Sequence, residues 1–471
     1  MNNKETFFWY DLETFGLLPT FDRIAQFAGQ RTDMDLNPIG PEIILYCKLS
    51  KDYLPDPLAC LITGITPDEV NAKGKCESEF IEAINKEFSV PNTCTVGFNS
   101  IHFDDEFIRN ALYRNFLNPY QREWKNRNSR WDILDLVRAC HDLRPKGFVW
   151  PEKNPNTQNP VFKLTSLTEA NKINQEGAHD AMVDVRATIA IADLIKKKQP
   201  KLFEYSFAIR KKERIKEMLG KPFATPVIMT AAAFTNPNGC STLICPITTQ
   251  LEDSNTILCF DLAYDIEPLF TASEEDLLKT PGLVRVAVNK CPMLSPLSVL
   301  NDKLATKLGI DKKLCLSRYE KLKQHNDLII KLRSIKDNFQ FQTIEDTDFQ
   351  LYSGGFFSDR DYQTFSIIRQ APPEQRLLLS LNYQDTRIPE MLFRHVARNY
   401  PEVLTNSQKE QFKSFCANRI LCPPGNSLCN LQFFERKIQE KLESNDVSPK
   451  EKLVLSSLKN YGIKLKDSLF K

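Results

Sequence analysis

The sequence predicts an α/β segment, then a β-rich segment, then a helical one, and three observations point to this order. Within residues 1–199, short apolar runs alternate with stretches of helical periodicity. From 200 to 350, the apolar pieces TPVIMTAAAF, STLICPITTQ and NTILCFDLA are brief and separated by Asn, Pro, Gly and Ser, the pattern of strands and turns. From 351 to 471, beginning at LYSGGFFSD, segments such as RLLLSLNYQDTRIPEMLFRHVARNYPEVL carry apolar residues at helical spacing and few β signals. Three domains with these bounds suit a chain of 471 residues and 42% hydrophobic content.

The elements of the first segment follow in order. FFWYDLET reads as a strand, and IAQFAGQRTD and EIILYCKL as two more. TCTVGFN is a short, nearly continuous apolar run, as a buried strand requires. DDEFIRNALYRNFL follows with Phe107, Leu112 and Phe116 at helical spacing. SLTEANKI and HDAMVDVRATIAIADLIKKK read as further helices. Lys196, Lys197 and Lys198 followed by Pro200 mark the end of the last one, since cations suit a helix C-terminus. NPNTQNP, at 154–160, is the clearest loop.

Bulk properties narrow the function. The formal net charge is +2, so affinity for nucleic acid must come from local basic patches. No apolar run is long enough to span a bilayer. The N-terminus lacks the basic region and small-residue cleavage site of a signal peptide. The 13 cysteines show no metal-knuckle spacing; neither Cys240 with Cys245 nor Cys416 with Cys422 makes a C-x-x-C pair. Reduced, packed thiols in a cytoplasmic protein are the expectation.

Three acidic sites carry the chemistry. Asp11 and Glu13 are two residues apart on a strand and so share a face, with Cα atoms about 6.5 Å apart. Two acids at an exposed strand end would need no function. Here Phe7-Phe8-Trp9-Tyr10 before them and Thr14-Phe15-Gly16 after them indicate a buried edge, where paired carboxylates need cations or protons. Asp104-Asp105-Glu106 follows the apolar strand TCTVGFN, and taken alone it reads equally as an acidic helix start favoured by the dipole. In GAHDAMVD, Asp180 suits a helix cap, and Asp184 lies one turn further on, facing inward with Ala181, Ala187 and Ile191. An inward acid on a small, apolar face needs a partner. The stretch from Arg109 to Trp131 interleaves bases and aromatics, as a groove for single strands does, although an amphipathic helix and a solvated loop would account for part of it.

Asp11-Leu12-Glu13-Thr14, Phe103-Asp104 and His179 with Asp184 together resemble the DEDD exonuclease superfamily in its histidine-containing branch. DLETFG, FDRIAQFAGQRTD, YLPDPLACLITGITPDEV, NSRWDILDLVRACHDLRP, AHDAMVDVRATIA and LYSGGFFSD resemble, within it, the bacterial exodeoxyribonuclease I family, and the similarity covers essentially the whole chain. The resemblance implies a ribonuclease-H-like exonuclease domain (1–199), an SH3-like β-rich domain (200–350) and a helical C-terminal domain (351–471), arranged as a C. It implies a processive 3′→5′ exonuclease that degrades single-stranded DNA to 5′-mononucleotides and acts in DNA repair and recombination. Asp11, Glu13, Asp104 and Asp184 would bind two Mg²⁺ ions, with Mn²⁺ a plausible substitute. His179 would be the general base; His102 competes for that role but has no counterpart in the family.

The same resemblance assigns the substrate contacts. Glu13 and Thr14 would meet the terminal sugar, and Lys163 stands where the family usually has Arg near the scissile phosphate. Arg109, Tyr120, Trp124 and Arg138 would line the DNA path and Lys212 extend it, while Tyr352, Phe356 and Phe357 would help close a channel, core packing being an equal explanation for the two phenylalanines. Lys312, Lys313, Arg318, Lys321 and Lys323 read by default as a solvated helix face, but the family docks the acidic C-terminal tail of single-stranded-DNA-binding protein on a basic surface, for which they and Tyr205 are candidates. The enclosed channel needs only a monomer. Ser100 departs from the Asn often found four residues before the second Asp. An RNA trimmer with the same metal site and a non-catalytic strand-binding adaptor are the alternatives. The intact acid set and histidine weigh against the adaptor, and the two added domains against the RNA trimmer.

Overall fold

The computed structural model describes residues 4–174, 180–251, 253–334, 344–424, 429–444 and 446–471. A mixed sheet organises the first domain. Strands β1 (Thr6–Thr14), β2 (Ile24–Thr32), β3 (Ile43–Tyr46), β4 (Thr93–Gly97) and β5 (Ser129–Asp132) lie in the order β3-β2-β1-β4-β5. β1 is central because both its faces are apolar: Phe7 and Trp9 pack on one side, Phe8 and Tyr10 on the other. It runs antiparallel to β2 and parallel to β4. The β4 pairing stops at Trp9 opposite Val96, so Asp11, Leu12 and Glu13 run on past the end of their neighbour. The helix Ala181–Lys198 packs across β1 and β2.

A second sheet, β6 (Val227–Thr230), β7 (Ser241–Thr249), β8 (Thr256–Asp261), β9 (Leu283–Ala287) and β10 (Met293–Pro296), is antiparallel throughout, in the order β10-β6-β7-β8-β9. The middle segment is less purely β than the sequence predicts. Helices Pro200–Ile209 and Lys212–Leu219 precede the sheet, and Asp302–Leu308, Lys312–Leu322 and Asp327–Ser334 follow it. Pro200 does not only stop a helix. It occupies the first turn of the next one, where its missing N–H leaves no bond unmade. The last part is helical as expected, from Asp359–Gln370 to Pro449–Phe470. Among the described residues, no helix is long and apolar enough to cross a membrane. All 13 cysteines are free thiols.

Apolar packing ties the three parts together. Trp9 and Trp131 of the first sheet share one core with Ile228 and Leu243 of the second. Phe15, Tyr53 and Phe116 share another with Phe365, Leu392 and Leu455 of the helical part. A buried ionic seam reinforces the second contact. Asp52, 0% exposed, accepts from Arg398 Nε at 3.1 Å and Arg419 Nη1 at 2.7 Å. Asp348 binds Arg398, Arg419 and Arg394. Burial alone would raise the Asp52 carboxyl, but Arg398, Arg419 and Arg23 outweigh it and hold it well below the usual range.

Candidate active site

The carboxylates meet where β1 outruns β4. Oxygens of Asp11, Glu13 and Asp184 all lie within 4.8 Å of one another. Asp184 reaches them from the first turn of Ala181–Lys198, which starts at Asp180: the Asp180 side chain accepts from Met182 N at 3.0 Å. Asp104 completes the group. Its Oδ1 accepts the Leu12 amide at 3.1 Å, a β1 amide that β4 ends too soon to pair. Asp104 opens the helix Asp104–Arg114, and Asp132 at the end of β5 fixes the loop before it, accepting from the amides of Asn99 at 2.9 Å and Ile101 at 3.2 Å. Gly16, closing the DLETFG motif, admits the carboxylate of Asp22, which would lie 2.1 Å from a Cβ there. Asp22 in turn accepts from Leu18 N and the Tyr53 hydroxyl, shaping the loop after β1.

The acids Asp104, Asp105 and Glu106 have three different destinations. Only Asp104 enters the cluster. Asp105 is buried beneath it, bound by Arg122 at 2.5 Å, Arg130 at 2.6 Å and the Tyr10 hydroxyl at 2.6 Å. Burial would raise its carboxyl, but Arg122, Arg130 and Arg109 together hold it well below the ordinary range. Glu106 joins three domains: it accepts from Arg109 at 2.8 Å on its own helix and from the Tyr352 hydroxyl of the third domain, with Lys290 of the second 3.7 Å away.

Electrostatics shows what the cluster favours. Burial, followed by repulsion from Asp104, Glu13 and Asp184, pushes the Asp11 carboxyl far up. Burial with Asp184, Asp104 and Asp180 pushes Glu13 up to about 8. Asp104 is raised by burial and by Asp105. Four carboxylates drawn this close raise one another's proton affinity and form a site that favours protons or metal ions. The donors are all hard oxygens, a set that suits a hard divalent cation better than a softer metal.

The other predicted residues fall into distinct settings. His179 lies outside the described residues, and His102 is exposed. Thr14 is buried and donates its hydroxyl to Gly16 O at 2.7 Å. Lys163 is exposed at the start of the helix Leu164–Ala170, and Lys212 is half-buried at the start of Lys212–Leu219. Arg138 pairs with Asp135 at 2.6 Å. Trp124 projects from its loop, 65% exposed.

Arg109 departs from the expected open DNA path. It is buried, with Nε and Nη2 on Glu123 at 2.8 and 2.9 Å, and its guanidinium lies 5.4 Å from the Tyr120 ring. A buried guanidinium needs carboxylates, and these are on the protein. Arg114, Arg122 and Arg130 are buried too, and Trp131 is core, so much of the basic-aromatic stretch forms an internal scaffold. Phe356 is 85% exposed, while Phe357 packs on Tyr113 and Phe365. In the proposed tail-docking patch, Lys312 donates to Leu300 O and Arg318 to Leu262 and Ala263 carbonyls. Lys321 pairs with Glu267 and Lys323 with Glu320, Lys313 is exposed, and Tyr205 is partly buried against Met218.

Sequence reasoning did not find the roles of Asp105, Asp132 and Asp22. Asp105 sat in an acidic run and Asp132 before an apolar helix; the usable signal for Asp132 was its N-cap position ahead of Ile133–Leu143.

A mixed sheet with acids from β1, from the helix after β4 and from a helix packed on the sheet defines a nuclease of the metal-dependent exonuclease class. Family profiles agree: "Exonuclease" matches residues 8–192, "Exonuclease I SH3-like domain" 210–338 and "Exonuclease I C-terminal domain" 345–465. The exodeoxyribonuclease I of Haemophilus influenzae is 40% identical over 476 residues, covering 98% of this chain and 98% of that one. The structure of Escherichia coli exonuclease I in complex with a dA16 oligonucleotide superposes with a TM-score of 0.91 at 36% identity, over 98% of this chain and 100% of that one. A structure of SSB/exonuclease I in complex with the inhibitor CFAM gives a TM-score of 0.90 at 36% identity, over 98% and 100%. The chain belongs to the exodeoxyribonuclease I family.

Proposed function

We propose that the chain is a processive 3′→5′ exonuclease that degrades single-stranded DNA to 5′-mononucleotides in repair and recombination. The observation that carries the reading is the convergence of Asp11, Glu13, Asp104 and Asp184, brought from three remote segments to one partly buried point. Family membership supports the reaction, and the oligonucleotide bound to the Escherichia coli relative supports the substrate. The profile matches are compatible with domains at 1–199, 200–350 and 351–471.

These four residues would hold a pair of divalent cations, Mg²⁺ by preference and Mn²⁺ as a substitute. Bound ions supply a water of lowered pKa and stabilise charge on the leaving 3′-oxygen. His179 is assigned to accept the proton of the attacking water. Its chain neighbour Asp180 is near enough to act on Glu13 and begins the helix that carries Asp184, which supports the assignment. Glu13 and Thr14 are assigned to the terminal sugar, and Lys163 to the scissile phosphate. Tyr120, Trp124, Arg138 and Lys212 are assigned to the path of the strand, with Arg109 holding Tyr120 from beneath. Packing of all three domains around the strand favours retention between cuts, because release must break several contacts together. A monomer suffices for this design. The SSB complex of the relative supports docking of the acidic tail of single-stranded-DNA-binding protein, here on the surface that presents Lys313.

The test incubates end-labelled single-stranded DNA, duplex DNA and RNA with Mg²⁺ or with chelator and resolves products by size. Stepwise loss of mononucleotides from single-stranded DNA, with Mg²⁺ only, is expected. Internal cuts, activity in chelator or faster loss of RNA would overturn the reading.

A further inference from the structure

Glu13, Gln26 and Tyr46 form one row across three strands. Gln26 on β2 is the register partner of Glu13 on β1 and of Tyr46 on β3, so the three side chains share a face of the sheet. Phe7 and Trp9 lie on the same face of β1, at the alternation that also gives Asp11 and Glu13, and they share a core with Ala181, Met182 and Val185 of the helix Ala181–Lys198. Gln26 thus stands beside a candidate ligand on the face that receives the helix carrying Asp184.

Gln26 is buried, and both ends of its amide are used. Its Oε1 accepts from the Ala181 amide at 3.2 Å, and its Nε2 donates to the Tyr46 hydroxyl at 2.9 Å. Ala181 is the first residue of its helix, and a helix leaves its first four amides without intrahelical partners. Gln26 takes the first of them, and the Asp180 side chain takes the second, that of Met182. The Asp180 cap is local and would travel with the helix. The Gln26 bond spans 155 residues and ties the helix start to the strand register that also sets Glu13. Asp184 follows Ala181 by less than one turn, so the bond acts on the part of the helix that presents the ligand. A neutral amide suits the position. A carboxylate would add a fifth negative group beside four, and an apolar side chain would leave a buried amide without this acceptor. Tyr46 fixes the orientation: with the phenol oxygen accepting from Nε2, Oε1 is left for Ala181.

We propose, given the metal reading above, that Gln26 is a positioning residue for the carboxylate site: it locks the start of the helix Ala181–Lys198 to β2 and so sets the reach of Asp184 towards Asp11 and Glu13. Hydrogen exchange by mass spectrometry, on the full chain in chelator, reads the bond itself. Gln26→Met, of similar length but without the acceptor, speeds exchange in the peptide containing 181–185 and leaves the rest of the first sheet protected. Calorimetry with Mn²⁺ reads the consequence, a fall in affinity of about ten-fold. In the nuclease assay kcat falls by a similar factor while KM for single-stranded DNA stays within about two-fold, a split that general loss of fold does not produce. Tyr46→Phe keeps Gln26 and removes only the phenol; it moves all three readings the same way by less, and serves should Gln26→Met not fold. If the unaltered chain binds Mn²⁺, then unchanged affinity and kcat in both variants, or a loss confined to KM, would overturn the positioning role alone. An unaltered chain that binds no Mn²⁺ would overturn the metal reading and the positioning role together.

Discussion

At the scale of single residues, the cluster behaves as a trap whose charge must be balanced from outside. Replacing Asp11 with Ala removes a ligand shared with Glu13 and Asp184, so Mg²⁺-dependent degradation is expected to vanish while strand binding largely persists. Gel-shift and nuclease assays on the same preparation separate the two; retained activity would remove the metal assignment. Glu13 makes a pH prediction. Its metal-free carboxyl is pushed up to about 8, so at pH 7 it is mostly protonated and a cation must displace that proton. Mg²⁺ affinity therefore rises between pH 6 and 8, and binding at pH 7 releases protons to the buffer. Calorimetry in buffers of different ionisation enthalpy reads that release. The sign for metal-free stability is opposite: the folded state holds the proton more tightly than the unfolded chain, so stability falls as pH rises from about 4.5 to 8.

At the scale of elements, the strands that carry the site were legible because their sequences are unambiguous. FFWYDLET, IAQFAGQRT and TCTVG all form the expected strands. β5 was hidden, since SRWD places an arginine and a tryptophan in a basic stretch that locally reads as a solvated loop. Only tertiary structure shows that Arg130 and Arg122 point inward to Asp105. The helices Asp302–Leu308 and Asp327–Ser334 were missed for a related reason: short apolar segments have no period long enough to separate helix from strand. The candidate ligand set came from the family resemblance; the residues alone put Asp11 and Glu13 on one face of a buried strand and left Asp104 readable as an acidic helix start.

The same contrast gives a paired mutational test. Trp124→Ala should weaken single-strand binding by about 1–3 kcal/mol if the exposed ring stacks on a base, with thermal stability unchanged. Arg109→Ala should lower stability by about 3 kcal/mol, because Glu123 and Glu106 lose a buried partner. Binding isotherms and denaturant melts on both variants check this, and a reversed pattern would place Arg109 on the substrate and Trp124 in packing.

Across the whole molecule, the joint between the first and third domains is ionic as well as apolar, and its pH response follows. Arginines hold Asp52 and Asp348 below the usual carboxylate range, and Arg114 and Arg23 outweigh burial to hold Glu77 at about 2. Depressed carboxyls contribute stability that is complete above about pH 4.5, the unfolded value, and is lost as pH falls towards 2. Acid titration followed by circular dichroism should show cooperative loss below about pH 4.5. Asp52→Asn should shift that transition upward by removing one of the two carboxylates, Asp52 and Asp348, that Arg398 and Arg419 share.

Glu106 brings the two ends of this account together. A side chain two positions along from the candidate ligand Asp104 is held by a lysine from one lobe and a tyrosine from another. Prying the lobes apart pulls on the same helical turn that seats Asp104. Separation of the lobes is thus expected to disturb the seat of Asp104 in the carboxylate cluster, so the joint and the candidate site stand or fall together.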